Sequence, residues 1–242
     1  MSALLDQIFE CAEVPPEIMD QLWASGWRHF GVSFFRYNIS VDAAGIKRIT
    51  PLRLDLGKFH LSKSQRRVLR RNEGLRQEFR PAQITDEARA MFQRHKGRFK
   101  ENVPEDLNTF LSHDPAHVPG TCMECCVYEG EALLATSYLD IGTTSTSAVY
   151  GMFEPEHAWR SLGIYTMLLE IEHSRRLGCR YYYPGYATRE PSAYDYKKQL
   201  QGLEVLDWES GKWTVYRTPE PVSENPSTPC LPRPDDPLVS GH

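Results

Sequence analysis

The order of elements predicted for the second half of the chain constrains its fold most strongly. Residues 125–128 and 132–141 are rich in strand-forming side chains and flank a Glu-Gly turn, which predicts an antiparallel hairpin. Residues 147–153 predict a third strand, and 155–177 carry apolar residues at helical spacing before a glycine. A further strand begins at 181–183. Hairpin, strand, long helix and strand in this order predict a mixed α+β sheet with helices.

The rest of the chain divides into two further parts by composition. Residues 1–112 contain helix-like patches near the N-terminus and a basic helix that begins at Ser62 or Ser64, so we expect a smaller, helical N-terminal part. A polar loop then leads into the part with the mixed sheet, 113–217. Residues 218–242 hold seven of the 17 prolines and no aromatic residue, which predicts a disordered tail.

The charge of the chain is unevenly distributed. The net charge is −4, and the tail accounts for −3 of it, so the remaining body is close to neutral. Nine Lys and Arg residues lie between Lys47 and Arg71, against the single acid Asp55. Such a run is either a solvated helix face or a surface for a polyanion. The overall charge excludes a protein that coats nucleic acid, but a local nucleic-acid site stays open.

The cysteines do not follow a metal-binding or secreted pattern. Six are present, and Cys122, Cys125 and Cys126 are clustered. Adjacent residues of a strand point to opposite faces, so the three thiols cannot converge on one ion. No second ligand pair stands at zinc-finger spacing. We therefore expect buried free thiols, and no metal.

The length and the hydropathy pattern indicate the class of protein. The chain has 242 residues, no apolar run approaches the roughly 18 residues of a membrane span, and the N-terminus has no signal-peptide pattern. We expect a soluble cytoplasmic protein with no membrane partner.

The junction before the long helix contains a motif for acyl transfer. Arg160-Ser-Leu-Gly163-Ile-Tyr165 lies between a strand and a helix. It resembles the Arg/Gln-x-x-Gly-x-Gly/Ala motif of GNAT acetyltransferases, in which helix N–H groups hold the coenzyme A diphosphate. Tyr165 stands where that motif requires a small residue. The sequence therefore favours a GNAT-like fold with a different acyl donor.

Longer segments carry a resemblance to a more specific family. They are Gly26-Trp-Arg-His-Phe-Gly31, the stretch 59–68 (FHLSKSQRRV), 133–142 (LLATSYLDIG), 147–155 (SAVYGMFEP), the Arg160 motif and 181–186 (YYYPGY), followed by Tyr196-Lys197. In this order they resemble the arginyl/leucyl-tRNA–protein transferases of the N-degron pathway, which have a GNAT-like catalytic part. Relatives carry an N-terminal Cys-x-x-Cys, whereas Cys11 stands alone here. The resemblance therefore implies no metal or other cofactor for this chain.

The resemblance implies an enzyme that transfers Arg or Leu from aminoacyl-tRNA to the N-terminal α-amino group of acceptor proteins and so marks them for degradation. The expected partners are an aminoacyl-tRNA and a protein N-terminus with an acidic residue. The choice between an arginyl and a leucyl donor stays open. Two alternatives also remain: a coenzyme A-dependent N-acyltransferase, and a non-catalytic homologue that binds tRNA or N-degrons.

The expected site residues fall into two groups. Four are catalytic candidates: Asp140, Arg160, Ser161 and Tyr186. Those expected to bind substrate are Ser62, Lys63, Ser64, Gln65, Arg66, Arg67, Arg70, Tyr150, Gly163 and Lys197.

The basic positions share one helix face and are expected to contact tRNA phosphates, with Ser62, Ser64 and Gln65 near the acceptor end.

The other candidates have expected roles at the reacting groups. Asp140 would orient the amine or accept its proton, unless it only caps a turn. Arg160, Ser161 and Gly163 would lie near the terminal phosphate or the oxyanion, although Gly163 could serve close packing alone. Tyr150 and Tyr186 would shape the aminoacyl pocket, or belong to the core. Lys197 would meet the acidic side chain of the acceptor.

Overall fold

The computed structural model describes residues 4–42, 45–98, 103–192 and 194–217. Within them lie twelve strands: β1 (Asp6–Glu10), β2 (Arg28–Phe30), β3 (Ser33–Tyr37), β4 (Ile39–Asp42), β5 (Gly45–Asp55), β6 (Arg76–Pro81), β7 (Cys122–Glu129), β8 (Ala132–Ile141), β9 (Ser145–Phe153), β10 (Tyr181–Thr188), β11 (Leu203–Leu206) and β12 (Trp213–Val215). The helices are α1 (Pro16–Ala24), α2 (Lys63–Arg71), α3 (Asp86–Lys96) and α4 (Leu162–Arg176). The predicted tail at 218–242 lies outside the described residues.

One large sheet organises the molecule. Its strand order is β12-β11-β5-β10-β9-β8-β7-β6, and β4 pairs with β5. β9 and β10 run parallel and are joined through α4, while the other neighbouring pairs are antiparallel. The predicted mixed sheet, with its hairpin, strand, long helix and strand, is confirmed. β1, β3 and β2 form a second, three-stranded sheet.

Apolar residues on both faces of the large sheet hold the helices against it. α4 packs on one face, where Leu162, Leu168 and Ile171 are buried with Leu54 and Leu139. On the other face, residues of α3 form a second cluster with side chains of β7 to β9, and α1 belongs to a third cluster around Trp23. α4 ends where the sequence predicts, because Gly178 follows with a φ of +76°.

The N-terminal part differs from the helical part predicted for 1–112. Its described residues form three α-helices but also six strands, and the segment expected to be helical around Leu5 to Phe9 forms most of β1. β1 pairs antiparallel with β3, and the Phe9 ring stacks on the Phe34 ring with a centroid distance of 5.0 Å. β5 enters the large sheet between β10 and β11, so this sheet crosses the predicted boundary at residue 112. Long-range strand pairing, which local periodicity cannot report, accounts for the difference.

The cysteine cluster lies where its strand places it. Cys125 faces the α4 side and Cys126 faces the α3 side, and both are buried free thiols, as is Cys122. Burial raises the pKa of Cys122 and Cys125 well above the usual thiol value. The prediction of buried free thiols is confirmed. In the part of the chain that the structure describes, no group of three or more His, Cys, Asp or Glu side chains could hold a metal ion.

Among the described residues, no helix is both long and apolar enough to span a membrane.

Candidate active site

The site begins where the two parallel strands separate. β9 and β10 pair only from Ser145 to Ser147 and from Tyr181 to Tyr183, although both strands continue beyond these residues. Register shifts in β9 and β10 mark the same region. Such irregularities bend a strand and redirect its side chains. We call the gap between 148–150 and 184–186 the inter-strand cleft.

The side chain of Arg28 reaches across the point of separation. Its guanidinium donates to Ser147 Oγ at 2.8 Å, to the Ala148 carbonyl at 3.4 Å and to the Tyr183 carbonyl at 2.8 Å. Arg28 is buried, and this burial lowers its pKa. A buried guanidinium thus satisfies backbone groups that the separated strands leave unpaired, and it brings a positive charge to the base of the cleft.

Lys197 brings a second positive charge to the same place. A Cβ atom built on Gly185 would lie 3.3 Å from Lys197 Nζ and 3.5 Å from Arg28 Nη2, so the two cations flank this glycine. Gly185 has a φ of +100°, and a side chain there would strain the backbone as well as crowd both cations. Burial and the charge of Arg28 lower the pKa of Lys197 to about 8. Lys197, which was predicted to bind substrate, therefore lies at the inter-strand cleft, and its contact with the acceptor stays a prediction.

A buried carboxyl group lies beneath these cations. Tyr182 Oη donates to Glu170 Oε2 at 2.6 Å, and both residues are buried between α4 and the sheet. Burial raises the pKa of Glu170 to about 7, against the opposing effects of its hydrogen bonds and of Lys197. Near pH 7 about half of the Glu170 carboxyl groups are therefore protonated. It compensates the two cations only in part.

Asp140 lies in a buried pair with a histidine. His29 Nε2 lies 2.6 Å from Asp140 Oδ2, and His29 Nδ1 lies 2.9 Å from the Gly31 carbonyl. A carbonyl can only accept, so the Nδ1–H donates to Gly31, while Nε2 and the Asp140 carboxylate form a close, buried contact. This arrangement fixes β2 to the end of β8, and the role of Asp140 toward the acceptor amine stays a prediction.

Aromatic side chains border the cleft. The Tyr150 ring stacks on Phe110 at 4.0 Å, and Phe110 contacts Phe30 at 4.9 Å. On the opposite side Tyr186 contacts Tyr37 at 5.4 Å and donates its hydroxyl to the Gly26 carbonyl at 2.6 Å. Burial raises the pKa of both Tyr150 and Tyr186. The Tyr186 hydroxyl is engaged by the backbone, and the expected role of both tyrosines in an aminoacyl pocket stays a prediction.

The predicted basic helix is α2, and its charges face solvent. Lys63, Arg66, Arg67, Arg70 and Arg71 are exposed, while Val68 is buried. The N-terminal residues have a local structural role. Ser62 accepts from the Gln65 N–H and its own N–H donates to the Gln65 side chain, which forms a capping box, and Ser62 Oγ lies 2.9 Å from Ser64 Oγ. Gln65 is buried, so its expected contact with the acceptor end stays a prediction that would require movement.

The start of α4 is tied to the end of α2. Arg71 Nη1 donates to the Trp159 carbonyl at 2.6 Å and to Ser161 Oγ at 3.2 Å, and Asn72 Nδ2 donates to the Arg160 carbonyl at 3.0 Å. Arg160 itself pairs with Glu129. The predicted junction residues thus lie at the edge of the basic helix.

Two residues of the acyl-transfer motif pack inward. Gly163 lies against the Phe153 ring, at 3.4 Å from a Cβ built on it, which agrees with its role in close packing. Tyr165, which departs from the coenzyme A motif, is buried in the core under α4. The expected contacts of Arg160, Ser161 and Gly163 with a phosphate or an oxyanion stay predictions.

Sequence reasoning missed three residues of this site. Arg28 and His29 lie in the Gly-Trp-Arg-His-Phe-Gly segment and Glu170 in the long helix, and none of the three was predicted as a site residue. A polar pair inside an aromatic-rich segment was the available signal for the first two. For Glu170, a carboxylate placed in the last half of an otherwise apolar helix face was the signal.

Comparison with known proteins gives a consistent set of relatives. Residues 88–207 match the family model of the arginine-tRNA-protein transferase C terminus. An aspartate/glutamate leucyltransferase of Thiobacillus denitrificans is 33% identical over 77% of this chain and 78% of its own length. Proteins of the same name from Gluconacetobacter diazotrophicus (32% identical, 73% and 70%) and Marinobacter nauticus (28%, 86% and 86%) are also similar.

The chain is also similar to solved structures at low identity. The structure of FemX has a TM-score of 0.47 at 12% identity, and the match covers 78% of this chain and 65% of FemX. L-PGS from Bacillus licheniformis has a TM-score of 0.44 at 16% identity, with 77% and 55% covered.

Proposed function

Because the chain belongs to the aminoacyl-tRNA–protein transferase family, we propose that it transfers leucine from leucyl-tRNA to proteins whose first residue is Asp or Glu. The family membership confirms the resemblance. It also confirms an enzyme that transfers Leu or Arg from aminoacyl-tRNA to protein N-termini. The choice of leucine, and of an acidic acceptor, is the proposal, and it is supported by the names of the relatives together with the charges at the cleft.

The paired cations at the inter-strand cleft carry the proposal for the acceptor. Arg28 and Lys197 bring two positive charges beside Gly185. Among the described residues, neither forms an ion pair with an Asp or Glu side chain. Two desolvated and mutually repelling cations are stabilised by an anion. The carboxylate of an acceptor's first residue supplies one, with Lys197 as its direct partner and Arg28 behind it.

The same charges disfavour an arginyl donor. A guanidinium in the cleft would add a third positive charge in a region that water reaches poorly. Tyr150 and Tyr186 instead offer apolar surface that fits a leucyl side chain. The donor amino acid would lie against these rings, and the acceptor against Lys197.

The chemistry requires positioning more than activation. The acceptor α-amino nitrogen attacks the ester carbonyl carbon, a C–N bond forms, and the carbonyl oxygen becomes an oxyanion. Its collapse breaks the C–O bond to the ribose, and the released ribose oxygen takes up the proton that the amine loses and becomes a hydroxyl. Since the ester is already activated, holding amine and carbonyl in contact and stabilising the oxyanion supply most of the acceleration. No step requires a metal or a covalent enzyme intermediate.

Substitution of Lys197 tests the acceptor site. We expect Lys197→Met to lower kcat/KM for peptides with N-terminal Asp or Glu by roughly 10- to 100-fold, because a charged hydrogen bond is lost. The affinity for tRNA should be unchanged. Lys198→Met is the matched control, since Lys198 pairs with Asp195 instead. Equal losses in both variants would contradict the assignment.

The pH dependence provides a second readout for Lys197. Its pKa of about 8 means that the positive charge is present below pH 8 and is lost above it. The kcat/KM for an acidic peptide should therefore fall above pH 8. In Lys197→Arg this limb should move to higher pH, because arginine keeps its charge. An unchanged limb in the arginine variant would rule out Lys197 as its source.

The consequence for the acceptor protein follows from the same proposal. A leucine added to an acidic N-terminus replaces a charged first residue with an apolar one. We propose that this new N-terminus marks the protein for degradation in the cytoplasm, as the family resemblance implies.

A further inference from the structure

An exposed tryptophan, Trp159, lies beside the basic helix α2. Trp159 is 61% exposed, whereas Trp23 is buried and the other three tryptophans are half-buried. An isolated exposed apolar residue needs no explanation by itself. Trp159 differs from such a residue because its backbone is held in place and its ring lies among positive charges.

The backbone around Trp159 is held in place. Arg71 and Asn72, at the end of α2, donate to the carbonyls of Trp159 and Arg160 at 2.6 and 3.0 Å. The next residue, Ser161, has a φ of +58°, in the left-handed region that residues other than glycine rarely occupy. This corner separates the segment Pro155–Arg160 from α4. A fixed backbone thus presents an exposed indole ring, which loses little conformational entropy when a ligand covers it.

The charges around the ring select the ligand. The guanidinium of Arg160, which also pairs with Glu129, lies 4.6 Å from the Trp159 ring centroid, and the exposed Arg71 of α2 lies beside it, since its guanidinium donates to the Trp159 carbonyl. A flat aromatic surface bordered by cations is the combination that binds single-stranded nucleic acid, since bases stack on the ring and phosphates meet the charges. A protein partner would be expected to bring apolar side chains, for which this surface offers one ring only.

The position of Trp159 fits one part of the substrate. Aminoacyl-tRNA combines a double-stranded body with an unpaired 3′ end that carries the ester. β9 leads from the inter-strand cleft to Phe153, a distance of about 17 Å for five residues of strand, and Trp159 follows shortly after. Trp159 therefore lies beside the end of α2, the helix expected to bind the body, and is connected through β9 to the cleft expected to hold the ester.

We propose that Trp159 is a stacking site for an unpaired base at the 3′ end of the tRNA. This inference rests on the proposed function, and it adds a base contact to the phosphate contacts of α2. Trp159 is a positioning residue, because it would guide the ester into the cleft without contact to the reacting atoms.

The test compares two uncharged tRNA probes, one complete and one without its unpaired 3′ nucleotides. We expect Trp159→Ala to weaken binding of the complete tRNA by roughly 5- to 100-fold, the range for loss of one base stack. Binding of the shortened tRNA should not change. Trp159→Phe should restore most of the affinity, because it keeps an aromatic ring. Leu177→Ala, at the other end of α4 and 49% exposed, is the control for loss of exposed apolar surface.

The outcomes separate this inference from the proposed function. Unchanged binding of complete tRNA by Trp159→Ala, or an equal loss with both probes, would overturn the stacking site. Transfer of leucine by the wild-type chain, measured in parallel by the mass of the acceptor peptide, judges the proposed function alone. Thermal unfolding of each variant at the wild-type temperature establishes that the variants are folded.

Discussion

Arg28 and Glu170 belong to residue types that are rarely buried, and the fold places both of them inside. Their partners are distant in sequence: Arg28 bonds to residues 119 to 155 positions away, and Glu170 to Tyr182 across the helix–sheet interface. Local pattern cannot report such contacts, so the burial of Arg28 and Glu170 at the site could not be predicted, although Arg28 lies in a segment that carries the family resemblance. Lys197 and Tyr186, which lie in other such segments, were predicted as site residues.

The buried Glu170 carboxyl makes stability depend on pH. Its pKa of about 7 in the folded chain exceeds that of an unfolded glutamate, so the folded state holds more protons between about pH 4.5 and 7. Folding stability from this group is present below that range and is lost as the pH rises through 7. We expect the free energy of unfolding of the wild type, relative to Glu170→Gln, to fall by up to about 3 kcal/mol from pH 4.5 to 8.

Denaturant unfolding of both proteins across this pH range measures the difference. Glutamine keeps an oxygen acceptor for Tyr182 but does not titrate, and the other groups are the same in both chains. A constant difference between the two proteins would mean that Glu170 titrates normally in the folded state.

At the scale of elements, prediction succeeded where the signal was local. The capping serine and the spacing of Val68 predict α2, and the glycine after α4 predicts its end. The site depends on something else, namely where parallel pairing of β9 and β10 stops. That point is set by the two register shifts and by Arg28, which belongs to the N-terminal half. The separation of β9 from β10 therefore depends on the assembled sheet, and it could not be predicted from the sequence of either strand alone.

The charges of α2 give a prediction for the whole element. We expect Arg66→Glu with Arg67→Glu to weaken tRNA binding and to reduce the slope of log Kd against log salt by about 1 to 2, because two phosphate contacts are lost. Arg175→Glu with Arg176→Glu is the matched control, an exposed arginine pair at the far end of α4. Binding at several salt concentrations measures both. Equal effects of the two double substitutions would indicate bulk charge rather than a site on α2.

At the scale of the molecule, β5 is the element that joins the two halves. It carries the basic N-terminal half into the sheet beside β10, and α2 follows it directly, with its last residues bonded to the start of α4. A nearly neutral body can therefore present a basic helix at one edge of an acyl-transfer sheet. The net charge of −4 does not reveal this basic helix, because it sums over the whole chain, whereas binding depends on the local arrangement of charges.

The central claim is transfer of leucine from tRNA to an acidic N-terminus. The most direct measurement incubates the full chain with leucyl-tRNA or arginyl-tRNA and with peptides that begin with Asp, Glu, Lys or Arg, and determines the peptide masses. We expect a mass increase of one leucyl residue on the Asp and Glu peptides with leucyl-tRNA. Peptides that gain an arginyl residue instead, that react only with Lys or Arg first, or that are modified only when acetyl-coenzyme A replaces tRNA would contradict it.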